Sequence, residues 1–254
     1  MYDMHVHTKY SCDSDEEFSS YINQAKEIGV KAICFTEHVD YNPEDYGAGY
    51  YNSEKFFAEI NDIKSVTHYV ELLTGIEFDC PHRYQNELAD IANLPYDCII
   101  GSVHYCNFSP NLFFSDLVKN GVTANDCFAA YWNELLKCVS TGGFDVLGHI
   151  DIPKRYFKTL IYDETVLREI LYTMLSNGII LEINTSSLRN GLNDVMPEND
   201  ILKLYRDEGG EYVTIGSDAH TASELSAGNT TARSLIRSLG LRETVFRNRK
   251  MIIV

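Results

Sequence analysis

Basic residues are scarce in this sequence. The 254 residues include 21 Lys and Arg against 37 Asp and Glu, which leaves a formal net charge of -16. Surfaces that bind nucleic acid need clustered Lys and Arg to displace counterions, so we expect no nucleic-acid partner. No apolar run approaches the roughly 20 residues that span a bilayer, so we expect no membrane partner. A histidine motif begins within the first five residues, and we therefore expect no signal peptide and a cytoplasmic location.

Paired cysteines and linker-like segments are also absent. The seven cysteines are an odd number and include no Cys-x-x-Cys pair, which indicates reduced thiols rather than a disulfide framework. The six prolines and sixteen glycines are scattered, and no segment is repetitive or of low complexity. A chain of this length without a linker is predicted to form one domain over residues 1–254.

Histidines, in contrast, are placed regularly. Six of the eight lie in short motifs, and nearly all of these motifs, like the acid in Gly75-Ile76-Glu77, follow a short apolar run rich in β-branched residues. A strand that delivers a side chain to its own C-terminal end has this pattern. Histidine and carboxylate are ligands of zinc, manganese and iron, so the pattern predicts a metal cluster at one edge of a sheet. The motifs are Asp3-Met4-His5-Val6-His7, Thr36-Glu37-His38, Ser102-Val103-His104, Gly148-His149-Ile150-Asp151 and Gly216-Ser217-Asp218-Ala219-His220.

Seven predicted strands alternate with amphipathic helical segments, which indicates an α/β fold with a mostly parallel sheet. Candidate ligands follow at least five of these strands. This favours closure of the sheet into a barrel with its site at the C-terminal rim, since an open sheet would spread the ligands along a line. The predicted strands cover residues 2–8, 32–36, 70–78, 98–103, 144–148, 179–184 and 212–216.

Two long connections start just after candidate ligands and are expected to overhang the site. Residues 40–57 are dense in tyrosine, and residues 105–143 contain Phe108, Phe113 and Trp132 among other aromatics. Trp132 and its neighbours lie at helical spacing, which instead favours the buried face of a helix. His68 and His82 belong to no motif and are expected to be exposed.

Taken in order, the histidine motifs and Gly75-Ile76-Glu77 resemble the signature of the PHP (polymerase and histidinol phosphatase) superfamily over essentially the whole chain. Two further segments, Asp151-Ile152-Pro153-Lys154-Arg155-Tyr156 and Asn184-Thr185-Ser186-Ser187-Leu188-Arg189, look like the histidinol-phosphate phosphatase branch. The resemblance implies a distorted (β/α)7 barrel with three divalent transition metals, zinc, manganese or iron, per chain.

The resemblance also implies which side chains hold these metals. The first metal would be held by His5, His7, Glu77 and Asp218. Glu77 would bridge to the second metal, which His104 and His149 complete. Asp13, His38 and His220 would hold the third. Several members have histidine where this chain has Asp13, and Asp15 is the alternative ligand; a carboxylate there is a harder ligand that favours manganese or iron over zinc.

The implied reaction is hydrolysis of L-histidinol phosphate to L-histidinol and phosphate, in histidine biosynthesis, by a hydroxide that bridges two metals. The alternative substrate is another small phosphate ester or a short nucleotide. We expect Arg155 and Arg189 to bind the phosphoryl oxygens, although one of them could be an ordinary surface ion-pair residue, and we count Glu77, Asp218 and His220 with them as catalytic residues.

The source of the proton for the leaving group stays open between metal-bound water, Asp151 and a ligand of the third metal. We expect the ammonium and imidazole of the substrate to contact acidic and aromatic groups from residues 40–57 or 105–143. An amidohydrolase is disfavoured because no lysine follows a middle strand, and a non-catalytic metal or phosphate sensor is a further alternative. The oligomeric state is not predicted.

Overall fold

The computed structural model describes residues 1–106 and 112–254, and one sheet organises them. Its strands are neighbours in chain order; β1 to β8 run parallel, and β9 pairs antiparallel with β8. The strands are β1 (Tyr2–Val6), β2 (Ala32–Val39), β3 (Glu71–Asp79), β4 (Cys98–Ser102), β5 (Val146–Leu147), β6 (Ile180–Asn184), β7 (Tyr212–Gly216), β8 (Arg242–Arg247) and β9 (Lys250–Ile253).

The first seven strands close into a ring. Just beyond its end, β7 meets β1 through a parallel bridge between Val6 and Ala219. The backbone N–H of Asp218 donates to the carbonyl of His5 at 2.8 Å, and that of His7 donates to the carbonyl of Ala219 at 2.9 Å. The start of β7 pairs instead with β8, so the closure is irregular. The predicted distorted (β/α)7 barrel is confirmed, with each predicted strand present.

The helices pack around this barrel. They are α1 (Phe18–Ile28), α2 (Ser53–Val66), α3 (Gln85–Ile91), α4 (Phe114–Lys119), α5 (Ala124–Thr141), α6 (Lys154–Phe157), α7 (Glu164–Ser176), α8 (Ser186–Arg189), α9 (Asn199–Asp207) and α10 (Asn229–Leu239). In α1 the residues Phe18, Tyr21, Ile22 and Ala25, at i, i+3 and i+4 spacing, are buried, and Gly29 ends the helix in the left-handed conformation at φ 75°. Across the described residues, no helix has the length and apolar character of a membrane span.

Strand alternation divides the inner face of the barrel into two levels. On β3, Leu73 belongs to a small apolar cluster with Met4, Cys34 and Ile100. Glu77 lies four residues later on the same face, because side chains of a strand alternate with period two. Apolar residues therefore fill the end where the strands begin, and polar residues occupy the end where they finish.

The structure confirms the expected burial of Trp132 and corrects the expectation for His82. Trp132 lies on α5, is 4% exposed and donates from Nε1 to the carbonyl of Ile161 at 2.8 Å. The side chain of His82 is 6% exposed, with Nε2 2.8 Å from Glu134 Oε2, because the loop after β3 packs on α5. His68 is exposed as expected. Phe108 lies outside the described residues.

Two strands were not predicted, β8 and β9, which form a hairpin at the opposite end of the barrel from the histidines. Arg247 makes two hydrogen bonds of 2.6 Å to the carboxylate of Glu71 at the start of β3. The N–H of Asn248 donates to Asp97, just before β4, at 2.9 Å. The hairpin therefore ties together the ends at which the strands begin.

Candidate metal centre

The metal-type side chains converge at the C-terminal rim, at the ends of β1, β2, β3 and β7 and just after β4 and β5. They differ in burial. His5 and His7 are fully buried, and Glu77 and His149 are 1% and 2% exposed. His38, His104, His220 and Asp13 have side chains 15% to 32% exposed. The cluster therefore has a buried floor and an open side that faces solvent.

Glu77 is the centre of the cluster. Its Oε2 lies 3.2 Å from Nε2 of His5 and 3.5 Å from Nε2 of His7. Its Oε1 lies 2.8 Å from Nε2 of His149 and 3.5 Å from Nε2 of His104. Oε2 also lies 3.2 Å from Nδ1 of His38, so the two carboxylate oxygens face different sets of histidines, which suits a carboxylate shared between cations.

Asp218 completes the set around His5 and His7. Its Oδ1 is 3.4 Å from Nε2 of His7 and 3.9 Å from Nε2 of His5. The residue has φ 54°, a left-handed conformation that Asp tolerates better than most residues. Its N–H is held by His5, as described above, and its carbonyl accepts a hydrogen bond from Arg189 at 3.2 Å. These bonds fix where the carboxylate points.

A third group of side chains lies at the open side. Oδ2 of Asp13 is 3.0 Å from Nε2 of His220 and 3.5 Å from Nε2 of His38. The rings of both histidines stack on His7, with centroids 4.3 Å apart in each case. Asp15 is exposed. Of the two acids considered from the sequence, the structure brings Asp13 to the histidines.

The Nδ1 atoms of His5 and His7 are held by hydrogen bonds. Nδ1 of His5 lies 2.6 Å from Oε1 of Glu182, and Nδ1 of His7 lies 3.0 Å from the hydroxyl of Ser11. In the described part of the chain, Nε2 of His5 and Nε2 of His7 are buried and have no hydrogen-bond partner. An imidazole oriented from one nitrogen, with the other left free toward carboxylates, fits a metal ligand.

The electrostatics of the cluster also suit a cation. Burial and the neighbouring His38 and His220 lower the pKa of His7 to about 3, so its imidazole stays neutral, the form that binds metals. Burial opposes protonation of His38 as well, but the Glu77 and Asp13 carboxylates outweigh it and raise the pKa of His38 to about 10. The carboxylates therefore create a strong local preference for positive charge.

Sequence reasoning missed several residues that orient the cluster. Glu182 on β6 also accepts the N–H of His149 at 2.9 Å. Asp79 at the end of β3 accepts the N–H of His104 and lies 3.1 Å from its Nδ1. Glu37 accepts from Ser11 at 2.7 Å. The available signal was an acid with apolar neighbours on a strand, such as Glu182 between Leu181 and Ile183.

A cavity of about 300 Å³ opens above the cluster. Arg155 lines it, with Nη2 3.3 Å from Oδ2 of Asp218 and a hydrogen bond to Ser186. Arg189 and Asp151 are not among the described residues of the wall. Nη2 of Arg189 donates to the carbonyl of Ser217 at 2.9 Å. The carboxylate of Asp151 is fully buried beside Lys154, at 2.8 Å.

The wall of the cavity beyond the cluster comes from both long connections. Residues from 40–57 and 105–143 that line it are Asp40, Asp45, Tyr46, Phe113, Phe114 and Ser115. The expectation that these segments overhang the site is confirmed for these residues. The aromatic rings Tyr46 and Phe113 lie with centroids 5.9 Å apart.

Comparisons with known proteins agree with this geometry. A family model described as "PHP domain" matches residues 3–186. The histidinol-phosphatase of Lactococcus lactis subsp. lactis is 28% identical over 259 residues, which cover 95% of this chain and 92% of that protein. A probable histidinol-phosphatase of Clostridium acetobutylicum is 28% identical, with 99% and 98% covered.

Solved structures extend the similarity to the fold. The crystal structure of the Lactococcus lactis histidinol phosphate phosphatase, complexed with zinc, L-histidinol and phosphate, has a TM-score of 0.86 at 26% identity and covers 99% of this chain and 98% of that one. A putative histidinol phosphatase from Listeria monocytogenes has a TM-score of 0.75 at 19% identity, covering 91% and 99%, and shows the shared fold. Because the family model covers most of the sequence, this chain belongs to the PHP domain family.

Proposed function

We propose that this chain is a metal-dependent phosphomonoesterase that hydrolyses L-histidinol phosphate to L-histidinol and phosphate in histidine biosynthesis. One observation supports this most directly. A cluster of histidines around Glu77 forms the floor of a cavity that Arg155 lines, in a chain that aligns nearly end to end with a phosphatase whose structure contains zinc, L-histidinol and phosphate. Residues 1–254 would form one domain.

Three divalent transition metals, zinc, manganese or iron, would bind this cluster. When bound, such cations make a water nucleophilic at neutral pH and neutralise charge on the phosphoryl oxygens. The carboxylate of Asp13, a harder ligand than histidine, favours manganese or iron in the third site. The proposed ligands are His5, His7, Glu77 and Asp218 for the first, Glu77, His104 and His149 for the second, and Asp13, His38 and His220 for the third.

The protein's own contribution is orientation. Glu182 and Ser11 keep Nε2 of His5 and His7 directed inward, which leaves these nitrogens free to coordinate. Arg155 would bind phosphoryl oxygens, and its place in the wall of the cavity above the cluster favours this role. Arg189 as a second phosphate ligand stays a prediction, and its bonds to Ser217 and Asp218 suit a role in holding that loop.

The alternative is another small phosphate ester or a short nucleotide. A cavity of about 300 Å³ suits a small ester, and the net charge of -16 disfavours a polymeric nucleic acid. Protonation of the leaving group by Asp151 is disfavoured, because its carboxylate is fully buried and paired with Lys154.

A substrate panel tests the proposal. Metal-loaded enzyme is assayed with histidinol phosphate, phosphoserine, glycerol phosphate and an aryl phosphate, and the same preparation is analysed for metals. Since histidinol phosphate, phosphoserine and glycerol phosphate present the same reacting group, any preference among these three must come from contacts to the rest of the molecule. Histidinol phosphate is expected to exceed glycerol phosphate in kcat/KM by several orders of magnitude. Equal kcat/KM values for these two esters would refute histidinol phosphate as the substrate, but the chain would still be proposed as a phosphoesterase.

A further inference from the structure

Two carboxylates, Asp40 and Asp45, line the cavity next to the cluster without a role in the proposed ligand set. They are 8% and 9% exposed. Both lie next to Gly47, since a Cβ at this glycine would be 2.7 Å from Oδ2 of Asp40 and 3.1 Å from Oδ1 of Asp45. Two buried carboxylates so close together repel each other unless a cation or donors lie between them.

The two acids differ in how they are satisfied. Asp45 accepts a hydrogen bond from the N–H of Gly47 at 2.6 Å and another from the hydroxyl of Tyr105. The carboxylate of Asp40 receives no hydrogen bond from a described residue, and the titratable groups that act on it are His38, His104, Asp79 and Asp45. A carboxylate in a side chain more than nine-tenths buried, which faces the cavity and accepts no hydrogen bond from the described residues, can accept one from a ligand.

Asp40 lies close to the metal-type cluster, where the phosphate ester would react. Asp40, Asp79 and His104 each place a ligand-type atom within 4.8 Å of the others, so Asp40 borders the cluster. In histidinol phosphate the amine is on the carbon next to the ester methylene, and the imidazole extends one carbon farther. An ammonium group would therefore remain close to the cluster, while the ring reaches the more distant aromatic wall formed by Tyr46 and Phe113.

We propose that Asp40 binds the ammonium group of the substrate and is a specificity-determining residue for aminoalkyl phosphates. This inference rests on the proposed function. The ammonium donates to a buried carboxylate that accepts no hydrogen bond from the described residues. An ester whose alcohol part carries no ammonium group, such as glycerol phosphate, offers that carboxylate no charged donor, and the same residue therefore selects against it.

The test compares Asp40→Asn with wild type on histidinol phosphate and on its deaminated analogue, 3-(imidazol-4-yl)propyl phosphate. The amide keeps the shape and removes the charge. We expect kcat/KM for histidinol phosphate to fall by on the order of 10- to 100-fold, the loss of a charged hydrogen bond, mainly through KM. The analogue and p-nitrophenyl phosphate should change by less than about 3-fold. Glu44→Gln, an exposed acid in the same segment, is the control and should match wild type.

Each other result overturns the inference. Loss of metal from Asp40→Asn would assign Asp40 to the metal centre, and an equal loss on both imidazole substrates would assign it to structure. The ratio of kcat/KM for histidinol phosphate to kcat/KM for its deaminated analogue can be measured on the wild type alone. A ratio near one would also refute ammonium binding. If wild type does not prefer histidinol phosphate over glycerol phosphate, the proposed function fails instead.

Discussion

Replacing Glu182 with Gln tests whether the cluster depends on a residue outside the ligand set. Oε1 of Glu182 lies 2.6 Å from Nδ1 of His5, and Oε2 accepts the N–H of His149 and a 3.2 Å bond from Asn184. A carboxylate accepts on both sides, whereas an amide accepts on one and donates on the other. Glu182→Gln must therefore place its NH2 group either against donors or against Nδ1 of His5.

Both orientations damage the site. With the NH2 group toward His5, Nδ1 becomes the acceptor and the ring proton moves to Nε2, which can then no longer coordinate. With the NH2 group toward His149, two donors meet in a fully buried position. Loss of a residue that orients a metal ligand costs about 10- to 100-fold in metal affinity, or about 1.4 to 2.7 kcal/mol.

Competition with a chromogenic chelator measures this affinity directly. We expect the tightest zinc site of Glu182→Gln to weaken by about 10- to 100-fold, while thermal unfolding of the metal-free protein changes less than that of the metal-loaded protein. Glu208→Gln, a glutamate far from the cluster that pairs with Arg168, controls for the loss of a charge. Wild-type zinc affinity in Glu182→Gln would refute the reasoning.

Three further predictions follow from the same geometry. Glu77→Gln should lose more than about 100-fold in activity together with metal by elemental analysis, and retained activity would mean that Glu77 is no bridge. Arg155→Ala should lower kcat/KM by a factor equivalent to about 1.5–3 kcal/mol of transition-state binding with unchanged metal content. Loss of metal from this variant would instead assign Arg155 a structural role. Burial opposes ionisation of Glu134, but hydrogen bonds from His82, Lys137 and Arg83 hold its pKa below the usual range. Their stabilisation is thus present above the ordinary glutamate pKa, about 4.3, and is lost as pH falls through the lower folded value. In denaturant unfolding of metal-free protein, the stability deficit of Glu134→Gln should shrink at acidic pH; a constant deficit would contradict this.

The barrel was predictable because its signals are local. Each of β1 to β7 is short and has a histidine or carboxylate within two residues of its end, and period-two alternation places His38, Glu77 and His104 on the same face as the inner apolar residues before them. The hairpin of β8 and β9 has a weaker signal. Its turn residues Asn248 and Arg249 have φ of 49° and 61°, where Asn-Gly is the usual indication.

The positions of the charged groups around the cluster were harder to predict. Arg155 and Arg189 both follow a strand, and no feature of the sequence distinguishes them. Only the packing of the loop after β7 places Arg189 against the carbonyls of Ser217 and Asp218. The partnership between Glu182 and His5 joins residues 177 apart in the sequence, and no local pattern encodes such a pair. Pairings across the barrel depend on strand order and register, which a single sequence does not specify.

The bridge between β1 and β7 has a consequence for biosynthesis of the chain. His5 and His7 leave the ribosome before Asp218 and His220; Asp3 and Ser217, which hydrogen-bond beside them, are 214 residues apart. A nascent or truncated chain that lacks β7 carries most of the histidines without the geometry that holds a cation. Because metal affinity couples to folding and contacts this distant form slowly, we expect a chain that ends before β7 to bind metal more weakly than one that contains it.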